Sequence, residues 1–194
     1  IKKGRRPRHP MYLFFDTETT GLPGNWKAPV TDLANWPRMV QLAFELYDGE
    51  GKRLSGDDFI IRPSGFSIPD SAAKIHGITT ARAEKEGKEI GSVLLDFQKA
   101  IDKAEYLVAH NMSFDEKIVG AEFLRSNMRD TLAAKKRICT MKSAVDYCAI
   151  PGPYGNKWPK LTELHDKLFK TGFGEAHNAA ADVAATIKCF WELK

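Results

Sequence analysis

Two carboxylates, Asp16 and Glu18, stand near the end of the run Tyr12-Leu13-Phe14-Phe15-Asp16-Thr17-Glu18-Thr19-Thr20-Gly21. The four apolar residues predict a buried strand. Acids at i and i+2 of a strand project from the same face. Like charges held side by side beside a core are costly unless something positive sits between them. A hard divalent cation, which prefers oxygen ligands, resolves that cost. Taken alone, the pair could equally be a solvated turn or two helix caps. Two later segments add acids. His110-Asn111-Met112-Ser113-Phe114-Asp115 follows a short apolar strand at Tyr106-Leu107-Val108-Ala109. Ser113 and Glu116 have capping-box spacing, so a helix is expected to start at Ser113. Asp115 then falls in its first turn, at the positive end of the helix dipole, which alone would explain it. His177-Asn178-Ala179-Ala180-Ala181-Asp182 leads into Val183, Ala184, Ile187, Phe190 and Trp191, an apolar pattern with helical spacing. Asp182 is expected in the early turns of that terminal helix and His177 just before it. The small residues between them let a backbone or a ligand approach closely.

In order and spacing, Phe15-Asp16-Thr17-Glu18-Thr19-Thr20-Gly21, His110-Asn111 with Phe114-Asp115, and His177 with Asp182 resemble the three motifs of the DEDDh 3′-to-5′ exonucleases. That group includes the proofreading epsilon subunit of bacterial DNA polymerase III, RNase T and oligoribonuclease. Ile75-His76-Gly77-Ile78-Thr79 resembles a segment common between the first two motifs. The His-x4-Asp spacing favours the histidine subclass over the tyrosine one. The resemblance implies phosphodiester hydrolysis with two divalent ions, Mg²⁺ or Mn²⁺. Asp16 would bridge both, Glu18 and Asp182 would complete the site that holds the attacking water, and Asp115 would help hold the second ion. His177 would be the general base. The residue types suit this chemistry. Carboxylates match Mg²⁺ or Mn²⁺, whereas Zn²⁺ sites usually contain His or Cys. An imidazole with an ordinary pKa near ~6.5 can take a proton close to neutrality. Activity is therefore expected to rise through the neutral range toward mild alkali.

The implied substrate is a single-stranded or frayed 3′ end, with nucleoside 5′-monophosphates as products. DNA is the favoured polymer, as in proofreading, and RNA is the alternative. A separate DNA polymerase is a compatible partner. A noncatalytic adapter would be expected to lack a ligand or the base, and here all five residues are present. Thr17, Thr19, Gly21, Leu22, Asn111 and Phe114 are the substrate-contact candidates near the motifs, with Leu22 a wedge against the last base and Asn111 either a contact or a turn former. Leu22 to Pro37 is a long connection of the kind that serves as a substrate loop. Trp26 in it could stack on a base, whereas Trp36, next to a strand, is expected to pack the loop onto the core. Pro151 to Lys160 is a second Gly/Pro-rich loop. In it Lys157 and Lys160 could meet more distant phosphates, and Trp158 could stack on a base, although a core plug is the favoured expectation. His76 and His110 are expected to support the cleft, and Lys135-Lys136-Arg137 to be a solvated surface.

The elements that must position these groups are legible in outline. Strands are expected at Met39–Tyr47 and 52–62, joined by the turn Asp48-Gly49-Glu50-Gly51. Helices are expected at 71–76, 80–86, 90–101, 141–148 and 161–169, and a last strand within 135–140. Antiparallel strands followed by alternating helices and strands predict a mixed sheet with helices on both faces. This α/β pattern agrees with the RNase H-like architecture that the resemblance implies.

The 194 residues are 43% hydrophobic, which suits one domain with a substantial core over 11–194. No apolar run reaches transmembrane length and no signal-peptide pattern is evident, so a cytoplasmic enzyme with no membrane contact is expected. Cys139, Cys148 and Cys189 form no framework, which fits a reducing compartment. Net charge is +4, but Lys2, Lys3, Arg5, Arg6 and Arg8 precede the first strand. Without those five, 24 basic residues face 25 acidic ones, a net of −1. Residues 1–10 are thus expected to be a flexible basic tail. Nucleic-acid binding by the folded part must rest on local patches and bound metal. Oligomeric state leaves no trace in the pattern.

Overall fold

A computed structural model describes residues 9–174 and 176–194. The five cationic residues of the expected tail lie outside the described residues. Strands β1 (Tyr12–Thr19), β2 (Met39–Tyr47), β3 (Arg53–Ile60), β4 (Tyr106–Ala109) and β5 (Lys136–Cys139) form one sheet in the order β3-β2-β1-β4-β5. The first three pair antiparallel, and β4 and β5 add parallel to β1. The β2–β3 connection turns at Asp48–Gly51, where Asp48 Oδ1 accepts from the Glu50 and Lys52 backbone N–H groups at 3.0 and 2.9 Å.

Central strand β1 is apolar on both sides because both sides are covered. Leu13 and Phe15 face a core shared with α3 (Ile90–Lys103) and α4 (Met112–Arg125). There the ring of Phe97 lies 5.4 Å from Phe15 and 5.0 Å from Phe44. Tyr12 and Phe14 face the other way, under α8 (Ala179–Leu193), with Phe190 5.2 and 5.1 Å from their rings. By the strand's two-residue period, Asp16 and Glu18 continue the α8 side and Thr17 the α4 side.

Helices α1 (Asp70–His76) and α2 (Thr80–Glu86) stand where the pattern places them. Gly77, at φ 74°, ends α1 in the left-handed conformation that glycine adopts without strain. The helix expected over 141–148 is instead two single turns, α5 (Thr140–Ser143) and α6 (Val145–Cys148), broken at Ala144. A small hairpin, β6 (Pro151–Gly152) and β7 (Gly155–Asn156), then leads to α7 (Leu161–Phe169). Cys139, Cys148 and Cys189 are free thiols. Among the described residues no helix is long and apolar enough to cross a membrane.

The expected capping box at Ser113 does not form. Asn111 turns the chain at φ 75°, a conformation that Asn tolerates, so α4 begins at Met112. Ser113 Oγ donates to Asn111 Oδ1 at 3.2 Å, and Glu116 pairs with Arg137.

The long 22–37 connection is tied down from α4. Buried Glu122 accepts from Arg38 Nε, the Met39 N–H and Arg125 at 2.9, 3.1 and 2.9 Å. Arg125 in turn donates to the Leu33 and Trp36 carbonyls at 2.7 and 2.6 Å. Trp36 is buried, as expected, and its indole N–H donates to the Pro29 carbonyl at 2.9 Å.

Candidate active site

The ends of β1, α4 and α8 bring four acids to one place. Ligand oxygens of Asp16, Glu18 and Asp182 all lie within 4.8 Å of one another. Asp115 reaches the same cluster from the first turn of α4. Its Oδ1 accepts from both the backbone N–H and the hydroxyl of Thr17, at 3.0 and 2.8 Å. Thr17 is thus a buried clamp between β1 and α4. Asp182 Oδ2 accepts from the His177 backbone N–H at 3.1 Å, which ties the turn before α8 to the cluster.

The start of α8 is held twice. Asn178 caps it, its side-chain oxygen accepting from the Ala180 and Ala181 N–H groups at 3.1 and 3.3 Å. Gln41, directly across from Glu18 in the β1–β2 register, accepts from the Ala179 N–H at 3.2 Å and donates to Asp58 at 2.7 Å. Nothing in the motif pattern marks Gln41. The available signal is a polar residue inside the otherwise apolar Met39–Phe44 stretch.

This cluster is uncomfortable as built. Burial, then Asp115, Asp182 and Glu18, push the Asp16 carboxyl far above the usual range. Burial, then Asp182 and Asp115, raise Glu18 to about 8. Burial raises Asp115 to about 7 against the opposing bonds from Thr17. Burial raises Asp182 to about 6, with the His177 N–H pulling the other way. Among the described residues none of the four pairs with a lysine or arginine. An all-oxygen set with converging ligand atoms and no cationic side chain fits hard divalent cations.

Beside the acids is an open cavity of about 320 Å³ lined by Glu18, Leu22, Ile75, His76, Phe114 and His177 among others. Leu22 and Ile75 are 73% and 60% exposed apolar side chains on its rim. Leu22 is among the expected substrate contacts and Ile75 is not, although Ile75 belongs to the Ile-His-Gly-Ile-Thr segment. His177 is exposed and takes φ 72°. Thr17 and Thr19 are buried, and the Thr19 hydroxyl donates to the Gly21 carbonyl at 2.6 Å, shaping the cavity edge. Trp26 lies 5.6 Å from Phe114, ring to ring. Asn111 turns the chain into α4, one residue after His110.

His76 and His110 are structural supports. His76 Nδ1 accepts from the Ile78 N–H at 3.1 Å. His110 joins Thr140 Oγ1 and the Pro159 carbonyl, each at 3.0 Å, and burial lowers its pKa. The 151–160 loop is thereby attached next to Asn111. Trp158 corrects an expectation: it is 60% exposed, not a core plug, in a stretch, 151–160, where only Pro159 is buried. The Lys157 ammonium is taken by Glu163 at 2.6 Å, and exposed Lys160 precedes α7. Lys135, Lys136 and Arg137 are occupied locally by the Ala104 carbonyl, Glu105 and Glu116.

Comparison with known families matches residues 13–190 to the family described as RNase_T, exonuclease. No curated protein matches. Among solved structures, the zinc-bound E. coli exonuclease I complex with single-stranded DNA aligns with TM-score 0.73 and 23% identity, over 96% of this chain and 41% of that one. E. coli exonuclease I with a dT13 oligonucleotide gives 0.73 and 22%, over 95% and 40%. A product-bound exonuclease I gives 0.73 and 20%, over 96% and 44%. The mixed five-stranded sheet is thus the RNase H-like fold of exonuclease I. The chain spans about two-fifths of the length of those structures.

Proposed function

Because the chain belongs to the RNase T exonuclease family, within the DEDD 3′-to-5′ exonucleases, we propose that it hydrolyses the terminal phosphodiester bond at a free 3′ end of single-stranded DNA. Water adds across the P–O3′ bond. The products are a nucleoside 5′-monophosphate and a strand one nucleotide shorter that ends in a 3′ hydroxyl. The observation that carries this reading is the convergence of Asp16, Glu18 and Asp182 within 4.8 Å, with Asp115 clamped beside them. The DNA preference is supported by the likeness to exonuclease I, whose structures hold DNA oligonucleotides. Trimming of RNA is the alternative.

When bound, divalent ions, Mg²⁺ or Mn²⁺, supply charge neutralisation at the phosphoryl and leaving oxygens and lower the pKa of a water. Asp16, on the central strand, would hold these ions together with Glu18, Asp182 and Asp115, Glu18 and Asp182 serving the ion that activates the water. His177 accepts the water's proton. Leu22 and Ile75 grip the terminal base from the cavity rim. Thr17, Thr19, Gly21, Asn111 and Phe114 shape the cleft edge, and Lys160 is available to a more distant phosphate. Residues 11–194 act as one exonuclease domain.

The test is digestion of matched DNA and RNA oligonucleotides, labelled at either end, with Mg²⁺, Mn²⁺ or EDTA. Stepwise, metal-dependent shortening from the 3′ end, lost in Asp16→Ala, is expected, and the rate ratio decides between the polymers. Full activity of folded Asp16→Ala would overturn the assignment.

A further inference from the structure

Three of the four exposed aromatic side chains among the described residues fall in one short stretch: Tyr147, Tyr154 and Trp158. Tyr154, at the hairpin tip, is fully exposed. Trp158 leaves its ring 60% open, with Lys142 Nζ 5.8 Å from its centre. The stretch is held in place. Pro151 pairs with Asn156, Gly152 with Gly155, and the Lys157 N–H donates to the Ile150 carbonyl at 2.9 Å. Its exit is bound to the cleft, because the Pro159 carbonyl meets His110, one residue before the turn into the helix that carries Asp115. The terminal-base cavity, by contrast, is rimmed by Leu22 and Ile75. Aromatic faces set among lysines match single-stranded nucleic acid. Every base offers a flat face to stack, and the phosphates answer the cations.

We propose that this hairpin is a second binding surface, on which bases upstream of the cleaved nucleotide stack against Trp158 and Tyr154 while Lys142 and Lys160 meet the backbone. The proposal rests on the exonuclease reading for which end of the strand enters the cavity. Its chemical class is single-stranded polynucleotide with little sequence preference. A substrate of one nucleotide is too short to reach it.

Two measurements on Trp158→Ala and Tyr154→Ala test this. The first is anisotropy of a labelled 16-nucleotide single strand in EDTA, which reads binding without turnover. The second is metal-dependent release of nitrophenol from the p-nitrophenyl ester of thymidine 5′-monophosphate, which reads the active site alone. Binding about tenfold weaker, with ester turnover unchanged, is expected. Unchanged binding would overturn the proposal. So would ester turnover falling in step with binding, which would mark the aromatics as structural props. Because Tyr154 touches open solvent, its replacement leaves the fold intact and keeps the test decisive. If wild-type protein binds the strand through these residues but never cleaves the ester, the active-site reading fails and the platform stands.

Discussion

Replacing Glu18 with Gln should stabilise the metal-free protein while destroying its ability to use metal. Glu18 keeps its proton up to about 8 in the fold, against an ordinary value of 4.5. Folded protein therefore holds a proton that the unfolded chain releases, and stability falls as pH rises through that window. Below about pH 4.5 the effect is absent, and by about pH 8 it is fully developed. At ~1.36 kcal/mol per pKa unit the penalty approaches about 5 kcal/mol. Proton sharing with Asp16, Asp115 and Asp182 brings the expected gain from the neutral amide to about 2–4 kcal/mol. For a chain of this length that is a rise of roughly 5–15 °C in melting temperature. No hydrogen bond to the Glu18 carboxylate is sacrificed within the described residues. The assay is thermal melting of wild type and Glu18→Gln in EDTA near pH 5 and pH 8, repeated with saturating Mg²⁺ or Mn²⁺. The variant should gain mainly at the higher pH. With metal the order should narrow or reverse, because a ligand present at about a hundred times its Kd adds ~2.7 kcal/mol to a protein that binds it. A variant that melts lower in EDTA at pH 8, or that gains equally at both pH values, would refute the picture of a repulsive acid cluster.

His177→Asn keeps a residue that accepts φ 72°, and it should lower kcat by about 10²–10⁴-fold with metal affinity unchanged by calorimetry. Parallel loss of affinity would make His177 a ligand instead. Gln41→Met strips the Ala179 N–H and Asp58 of a partner. It should cost about 1–3 kcal/mol and slow turnover, and a melt with a parallel rate assay reads both. Glu122→Ala leaves Arg38, Arg125 and the Met39 N–H without their shared acceptor. A loss of about 3–5 kcal/mol, near 10 °C or more in melting temperature, is expected.

The acid cluster was readable because its residues are few, chemically distinctive and locally spaced, and the apolar runs of β1, β4 and α8 told which elements would carry them. α2 matches its expected span, Thr80–Glu86, because threonine caps and helical spacing are local signals. The places that differed depend on backbone turns or distant partners. Asn111 starts α4 through a left-handed φ that overrides the Ser113 spacing. The break at Ala144 has no composition mark. Trp158 lies in a stretch without periodicity, so nothing distinguished a buried ring from an exposed one. Gln41 acts on a residue 138 positions away, a relation no local pattern contains.

The placement of Asp182 on the last helix also bears on how the protein is made. β1, which carries Asp16 and Glu18, leaves the ribosome before α4 with Asp115. The acid cluster nevertheless stays incomplete until α8 has emerged and docked over Tyr12 and Phe14. A chain still short of that helix exposes the apolar side of β1 and lacks Asp182. Since domains generally fold as units while synthesis proceeds from the N-terminus, the acid cluster is completed in one step, when α8 docks.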